Sequence, residues 1–260
     1  MNLLSGPPSP TRGEPLDALY LTDAYRREFS SRVVEALPGT LILETTAFYP
    51  QGGGQPCDQG TLHWGDGRTF QVLEVQKGPP GILHRGEGEL PPVGAEVTGR
   101  LHWGRRYAHM RYHTCLHILS GVVFHRFGSG ITGGQIYEDR ARMDLSLPDL
   151  NAATVEEILY GVNRVVDEDR PIHVRFLSRE EAERDPSLVR VARELMPEVD
   201  RVRLIDIEGF DVQADGGTHV RSTREVGRVT LQKLENKGTR NKRLYLTLSA
   251  PEGAGTEALP

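Results

Sequence analysis

With 260 residues, 37% hydrophobic and 26% charged, the chain has the make-up of a globular protein of one large domain or two small ones. No apolar run approaches the roughly 18–20 residues that cross a bilayer, and MNLLSGPPSPTRGEP lacks the basic start of a secretory leader, so a cytoplasmic protein is expected. A net charge of −5 argues against a general nucleic-acid binder, although eight basic residues face only two acidic ones between Arg221 and Arg243.

Residues 1–15 read as a flexible extension. Leu16 to Leu37 predicts a strand and turn, then a short helix or irregular segment. From Gly39 onwards the runs LILETTAFYP, TLHWG, TFQVLEVQKG, ILHRGEG and EVTGRLHW are short and β-prone, separated by Gly, Pro and Asp-Gly turns. That spacing predicts a small antiparallel barrel over residues 16–104. Within it, Gly52, Gly53 and Gly54 lie in the stretch Tyr49–Pro56. No Gly-Lys-Ser/Thr follows, so this is not a P-loop. Three glycines bare the backbone N–H groups and permit a ligand or another backbone to approach closely; a tight turn between strands is the other reading.

Arg105 to Phe127 reads as a helix, with Tyr112, Leu116, Leu119, Val123 and Phe127 recurring at three and four, and Gly128 to Gly130 ending it. Gln135 to Leu147 predicts a strand pair. A second helix runs from Asn151 to Asp169, capped by Asn151 or Thr154, with Glu156 and Glu157 in its first turn. Ile172 to Leu177 is a predicted strand, and Ser178 to Glu181 has the spacing of a capping box. Val202 to Ile207 alternates like a strand. Val226 to Leu234 and Arg243 to Leu248 predict a hairpin across a basic turn. Residues 250–260 read as a mobile tail. The expected class is α+β: a small N-terminal antiparallel β-barrel, then a domain over residues 105–249 with helices on an antiparallel sheet.

His113 and His117 sit four apart in the first predicted helix, which puts both imidazoles on one face. A hundred residues later Asp215 and His219 are again four apart, with Gly216 and Gly217 between them. Imidazole and carboxylate both suit Zn²⁺, so these four are the candidate ligands of one zinc ion per chain. Three protein ligands would leave a position for water, whose pKa zinc lowers, which is the chemistry of ester or amide hydrolysis. The run His-Thr-Cys-Leu-His lacks the glutamate that follows the first histidine in metallopeptidases. Peptide hydrolysis is therefore disfavoured. His109 reads as a surrounding or surface residue and Cys115 as packing. Cys57 and Cys115 form no disulfide or knuckle pattern. His63, His84, His102, His125 and His173 have no partner spacing.

Three stretches, TAFYPQGGGQPCDQGTL, RYHTCLHILSG and DGGTHVRSTREVG, together resemble the stand-alone alanyl-tRNA editing proteins (AlaX), of the medium-length form. These are similar to the editing domain of alanyl-tRNA synthetase. The resemblance spans about residues 18–248. It implies a deacylase that frees serine, or glycine, wrongly esterified to the tRNA for alanine. It matches His113 and His117 to the helical zinc ligands, and His219 to the last residue of a Cys-Gly-Gly-Thr-His pattern. Asp215 stands where many members have the ligand cysteine. A carboxylate is a harder donor than a thiolate, so Asp215 is either a ligand or a general base. Gly216 and Gly217 would open the site to the tRNA end, as would Gly52, Gly53 and Gly54. Thr132 and Gln135 are candidates for sensing the serine hydroxyl. Arg240, Lys242 and Arg243 are candidates for phosphate contact. A zinc-stabilised RNA-binding module without catalysis and a metal-dependent hydrolase of small acyl esters are the two alternatives.

Overall fold

Buried and exposed residues alternate along the first half of the chain, and the strands they define close on themselves. A computed structural model describes residues 18–147, 150–184, 201–237 and 242–251; the expected N-terminal extension, residues 252–260 of the expected tail, and Arg240 lie outside them. Strands β1 (Glu28–Leu37), β2 (Thr40–Leu43), β3 (Gly60–Trp64), β4 (Arg68–Gly78), β5 (Gly81–Gly88) and β6 (Glu96–Leu101) form a closed antiparallel barrel in the order β1-β2-β5-β4-β3-β6. Phe29, Val33, Leu41, Phe48, Leu62, Phe70 and Val72 fill it. His84 is buried there, with its Nε2 against Thr46 Oγ1 at 2.8 Å, and burial pushes its pKa down to about 4.

The segment expected to be a short helix or irregular is β1, a ten-residue strand paired with both β2 and β6. Its pairing register with β2 shifts between Val33 and Glu35. Such a bulge breaks the alternation of two that marks a strand in sequence.

Helix α1 (Trp103–Phe127) follows the barrel and ends at Gly128, which takes the left-handed conformation. From Met110 to Val123 every residue except Arg111 is buried. A stripe on one face was expected. The helix is instead enclosed on nearly all sides, as a central helix must be. Strands β7 (Ile131–Ile136) and β8 (Ala141–Leu145) follow, then α2 (Ala152–Asp167). Asn151 caps α2, its side chain accepting from Thr154 N at 3.0 Å. Next come β9 (Ile172–Ser178), α3 (Arg179–Arg184), β10 (Arg201–Ile207), β11 (Asp211–Ala214), β12 (Val229–Asn236) and β13 (Lys242–Leu248). Glu181 and Ser178 close the capping box before α3. One sheet has the order β11-β10-β9 and another β12-β13-β8-β7. The fold is thus α+β with an N-terminal barrel. Leu116, Leu119, Val123, Ile158, Val162 and Leu244 lie in the core that joins the two main helices to the sheets.

A buried ion pair fastens the barrel to α1. Arg106 Nε lies 3.0 and 2.9 Å from the two Asp58 oxygens, and its remaining nitrogens donate to Asp58, Ala24 O and Ala47 O. Asp58 also accepts the Tyr49 N–H at 2.6 Å. Removing one partner strands the other charge in the interior, which costs about 3–5 kcal/mol. Asp58→Ala is therefore expected to destabilise the fold by that amount, read from chemical denaturation midpoints. A loss under 1 kcal/mol would show that water reaches Arg106.

Candidate metal centre

The candidate centre is assembled from three directions. Helix α1 supplies His113 and His117, one turn apart. The loop after β11 supplies Asp215 and His219. The glycine-rich loop of the barrel supplies Gln55, which stands behind His113. One ligand-type atom from each of His113, His117, Asp215 and His219 lies within 4.8 Å of the others. The three imidazole centroids are 4.4 to 5.1 Å apart. All three histidines are buried, and Asp215 is half-buried.

Hydrogen bonds behind the rings fix which nitrogens face inwards. His113 Nδ1 donates to Gln55 Oε1 at 2.8 Å. The same oxygen accepts the Thr218 N–H at 3.1 Å, and Gln55 Nε2 donates to Thr218 Oγ1 at 2.9 Å. His219 Nδ1 sits 3.1 Å from Thr114 Oγ1. The Nε2 atoms of both rings are left facing Asp215, at 3.6 Å for His113 and 3.1 Å for His219. Asp215 Oδ2 also accepts the Gly217 N–H. His117 Nδ1 is buried with no hydrogen-bond partner among the described residues.

Burial pushes the pKa of all three imidazoles down, His219 to about 3, so they are neutral at pH 7. Burial also works to raise the Asp215 pKa, but His113 and His219 beside it more than offset this and hold it well below the usual range. Neutral imidazoles and an ionised carboxylate are the protonation states that bind a cation. The ligand-type atoms of these four side chains converge within 4.8 Å of one another, and three neutral nitrogens with one carboxylate are donors that suit a divalent cation. The donor set therefore fits a metal ion.

Gly217 needs to be glycine because of His113: a Cβ there would lie 2.2 Å from His113 Cε1. Gly216 has open space around it. Gly54 joins the barrel to β7, since its carbonyl accepts from Ile136 N at 2.8 Å and Gln135 Nε2 at 3.0 Å. Its φ is +79°, and a Cβ would meet Gly134 O at 2.6 Å. The triple glycine is thus both a tight turn, with Gly52 and Gln55 exchanging backbone bonds, and a backbone-to-backbone contact. Thr132 is exposed on β7 and donates to Asp144 O at 3.3 Å.

The remaining residues weighed in the sequence have other neighbours. Arg243 is held by Asp144 through two bonds of 2.6 and 2.7 Å, and Lys242 donates to Asn236. Cys115 is buried, and burial pushes its thiol up to about 12, in keeping with packing. His109 is fully buried rather than on the surface, with both ring nitrogens unpartnered among the described residues.

Gln55, Thr114 and Arg203 are the residues that sequence reasoning passes over. Arg203 is 7% exposed, and donates to Leu21 O and Asp215 O at 2.9 Å each. An arginine inside the apolar run of β10 is the one local sign of this role.

Two family profiles match the chain. One, described as the threonyl and alanyl tRNA synthetase second additional domain, covers residues 202–245. The other, tRNA synthetases class II (A), covers residues 17–105. The alanyl-tRNA editing protein AlaX-M of Saccharolobus solfataricus is 40% identical over 235 residues, covering 89% of this chain and 98% of that protein. AlaX-M of Methanosarcina acetivorans is 38% identical over 245 residues, again with 98% of its length covered. The alanine–tRNA ligase of Pyrobaculum neutrophilum is 38% identical over 228 residues, which span 84% of this chain and 25% of the ligase.

Proposed function

The chain belongs to the alanyl-tRNA editing proteins, and we propose that it hydrolyses the ester joining a wrong amino acid, serine above all, to the tRNA for alanine. The observation that carries this reading is the enclosed cluster of three neutral imidazoles and one carboxylate, in a chain that matches editing proteins along nearly their whole length. His113, His117, Asp215 and His219 would hold one Zn²⁺, which when bound polarises a carbonyl and lowers the pKa of water. Gln55 and Thr114 keep the Nδ1 atoms of His113 and His219 occupied, so that the Nε2 atoms face the centre. The two oxygens of Asp215 differ. Oδ2 takes the Gly217 N–H and lies 3.1 Å from His219 Nε2, while Oδ1 faces His113 Nε2 at 3.6 Å.

The test is release of serine from seryl-tRNA for alanine, with a small seryl ester alongside. Release from tRNA with none from the small ester argues against a general esterase. Tight RNA binding without any release would leave only a binding module.

Asp215 itself can be assigned by pairing metal analysis with kinetics. If it is a ligand, Asp215→Ala lowers zinc content, and Asp215→Cys keeps or raises it, because thiolate is a good zinc ligand. If it is the base, Asp215→Ala keeps its metal while kcat falls by about 10²–10⁴-fold. The ligand role is expected, because Oδ1 and Oδ2 both lie against ligand-type nitrogens.

A further inference from the structure

Most arginines of this acidic protein are paired with a carboxylate. Among the described side chains, the exposed arginines that lack one are Arg27, Arg221 and Arg228. Two of these three lie together. The Arg27 guanidinium covers the Trp103 ring at 4.3 Å, and that of Arg221 covers the Tyr25 ring at 4.0 Å. The two rings are themselves in contact, with centroids 5.6 Å apart. This arrangement orders two cations by their flat faces. Stacking leaves the N–H edge of a guanidinium available, and that edge matches phosphate oxygens.

The expected basic surface at the β12–β13 hairpin does not offer the same thing. Lys233 and Lys237 are held by Glu235, Arg243 by Asp144, and Arg224 by Asp169.

The Arg221 pair is tied to the candidate centre. Arg221 is two residues beyond His219, so their Cα atoms are at most about 7 Å apart. The backbone between them is pinned. Val220 N donates to Thr114 Oγ1, and Arg221 N donates to Tyr25 Oη and Glu225 Oε1. A phosphate gripped by Arg221 would thus lie close to the reacting end of a nucleic acid whose terminus enters the cluster.

We infer that Arg27 and Arg221, stacked on Trp103 and Tyr25, form the surface that grips backbone phosphates next to the 3′ end of the substrate RNA. The inference rests on the editing reading for its choice of RNA, but its test can fail separately. Deacylation of seryl-tRNA for alanine would be followed against tRNA and salt concentration for the wild type, R27Q/R221Q and R228Q. A seryl ester of adenosine, which has no phosphate, serves as the second substrate.

The double variant is expected to raise KM for tRNA by roughly tenfold, with kcat retained. It should also reduce the slope of log KM against log salt by about 2. R228Q and turnover of the adenosine ester should stay at wild-type levels. An unchanged KM and salt slope in R27Q/R221Q overturns the surface. So does an equal loss on both substrates, which would mark the two arginines as supports of the fold. If the wild type releases no serine at all, the editing reading has failed. Binding of uncharged tRNA to the same variants then still decides the surface.

Discussion

Replacing His113 with alanine is expected to strip the bound metal and to lower the rate of seryl-tRNA hydrolysis by about 10²–10³-fold. The magnitude follows from the several kcal/mol of charge stabilisation that a Lewis acid supplies, at 1.36 kcal/mol for each factor of ten. His113 has the most to lose in this cluster. It faces Asp215 on one side, is held by Gln55 on the other, and packs on Gly217, where no Cβ fits. Treating the wild type with a chelator should reproduce the loss, and added Zn²⁺ should reverse it. The H113A variant should not recover with zinc at the same concentration. Metal content by elemental analysis and rate under single turnover are the two measurements. A protein that carries metal and turns over normally without His113 would rule out the four-residue centre.

The second large effect concerns selectivity. Seryl-tRNA is expected to be hydrolysed faster than alanyl-tRNA by on the order of 10⁴-fold, because a site that hydrogen-bonds a substrate hydroxyl is left with unpaired groups when the hydroxyl is missing. Thr132 and Gln135 on β7 are the proposed sensors. Gln135 Nε2 is already committed to Gly54 O and Ile136 O, so its Oε1 is the group left to accept. The Thr132 hydroxyl makes one bond of 3.3 Å, a long one that can be exchanged. Thr132→Val should bring the ratio down by at least tenfold through the seryl rate, leaving the alanyl rate where it was. Equal hydrolysis of both substrates by the wild type would count against the whole editing assignment, since it would destroy correctly charged tRNA.

Local pattern made much of this molecule legible. Strands β3 to β6 announce themselves through short β-prone runs between turns, and α2 through its cap and apolar spacing. The spacing of four in His113/His117 and in Asp215/His219 is likewise a local signal, and these four side chains do meet. What stayed hidden depends on partners far away in sequence. Gln55 reaches His113 across 58 positions and Thr218 across 163. Arg106 reads as an ordinary charged residue near a helix start, yet it is fully buried on Asp58. No period or motif reports such pairings. The bulge in β1 hid a strand for a different reason, since one irregular pair is enough to spoil an alternation of two. The basic surplus after Arg221 is legible as a count, but the pairing of Lys233 with Glu235 and of Arg243 with Asp144 is not. Composition counts charges, whereas their neighbours decide whether they are free.

The Gln55 carboxamide touches both halves of the centre, His113 on the helix and Thr218 on the loop. It therefore works as a gauge block between two parts that the chain builds separately. Chimeras between relatives would have to respect it. A barrel grafted from another member must bring a residue of the same reach and polarity at this position. It must also bring a loop whose Gly54 equivalent can lie flat on strand β7 and accept its Ile136 N–H. Interchangeability is thus limited by this side chain and this carbonyl together with the buried Asp58–Arg106 pair, and an exchanged barrel must keep all three.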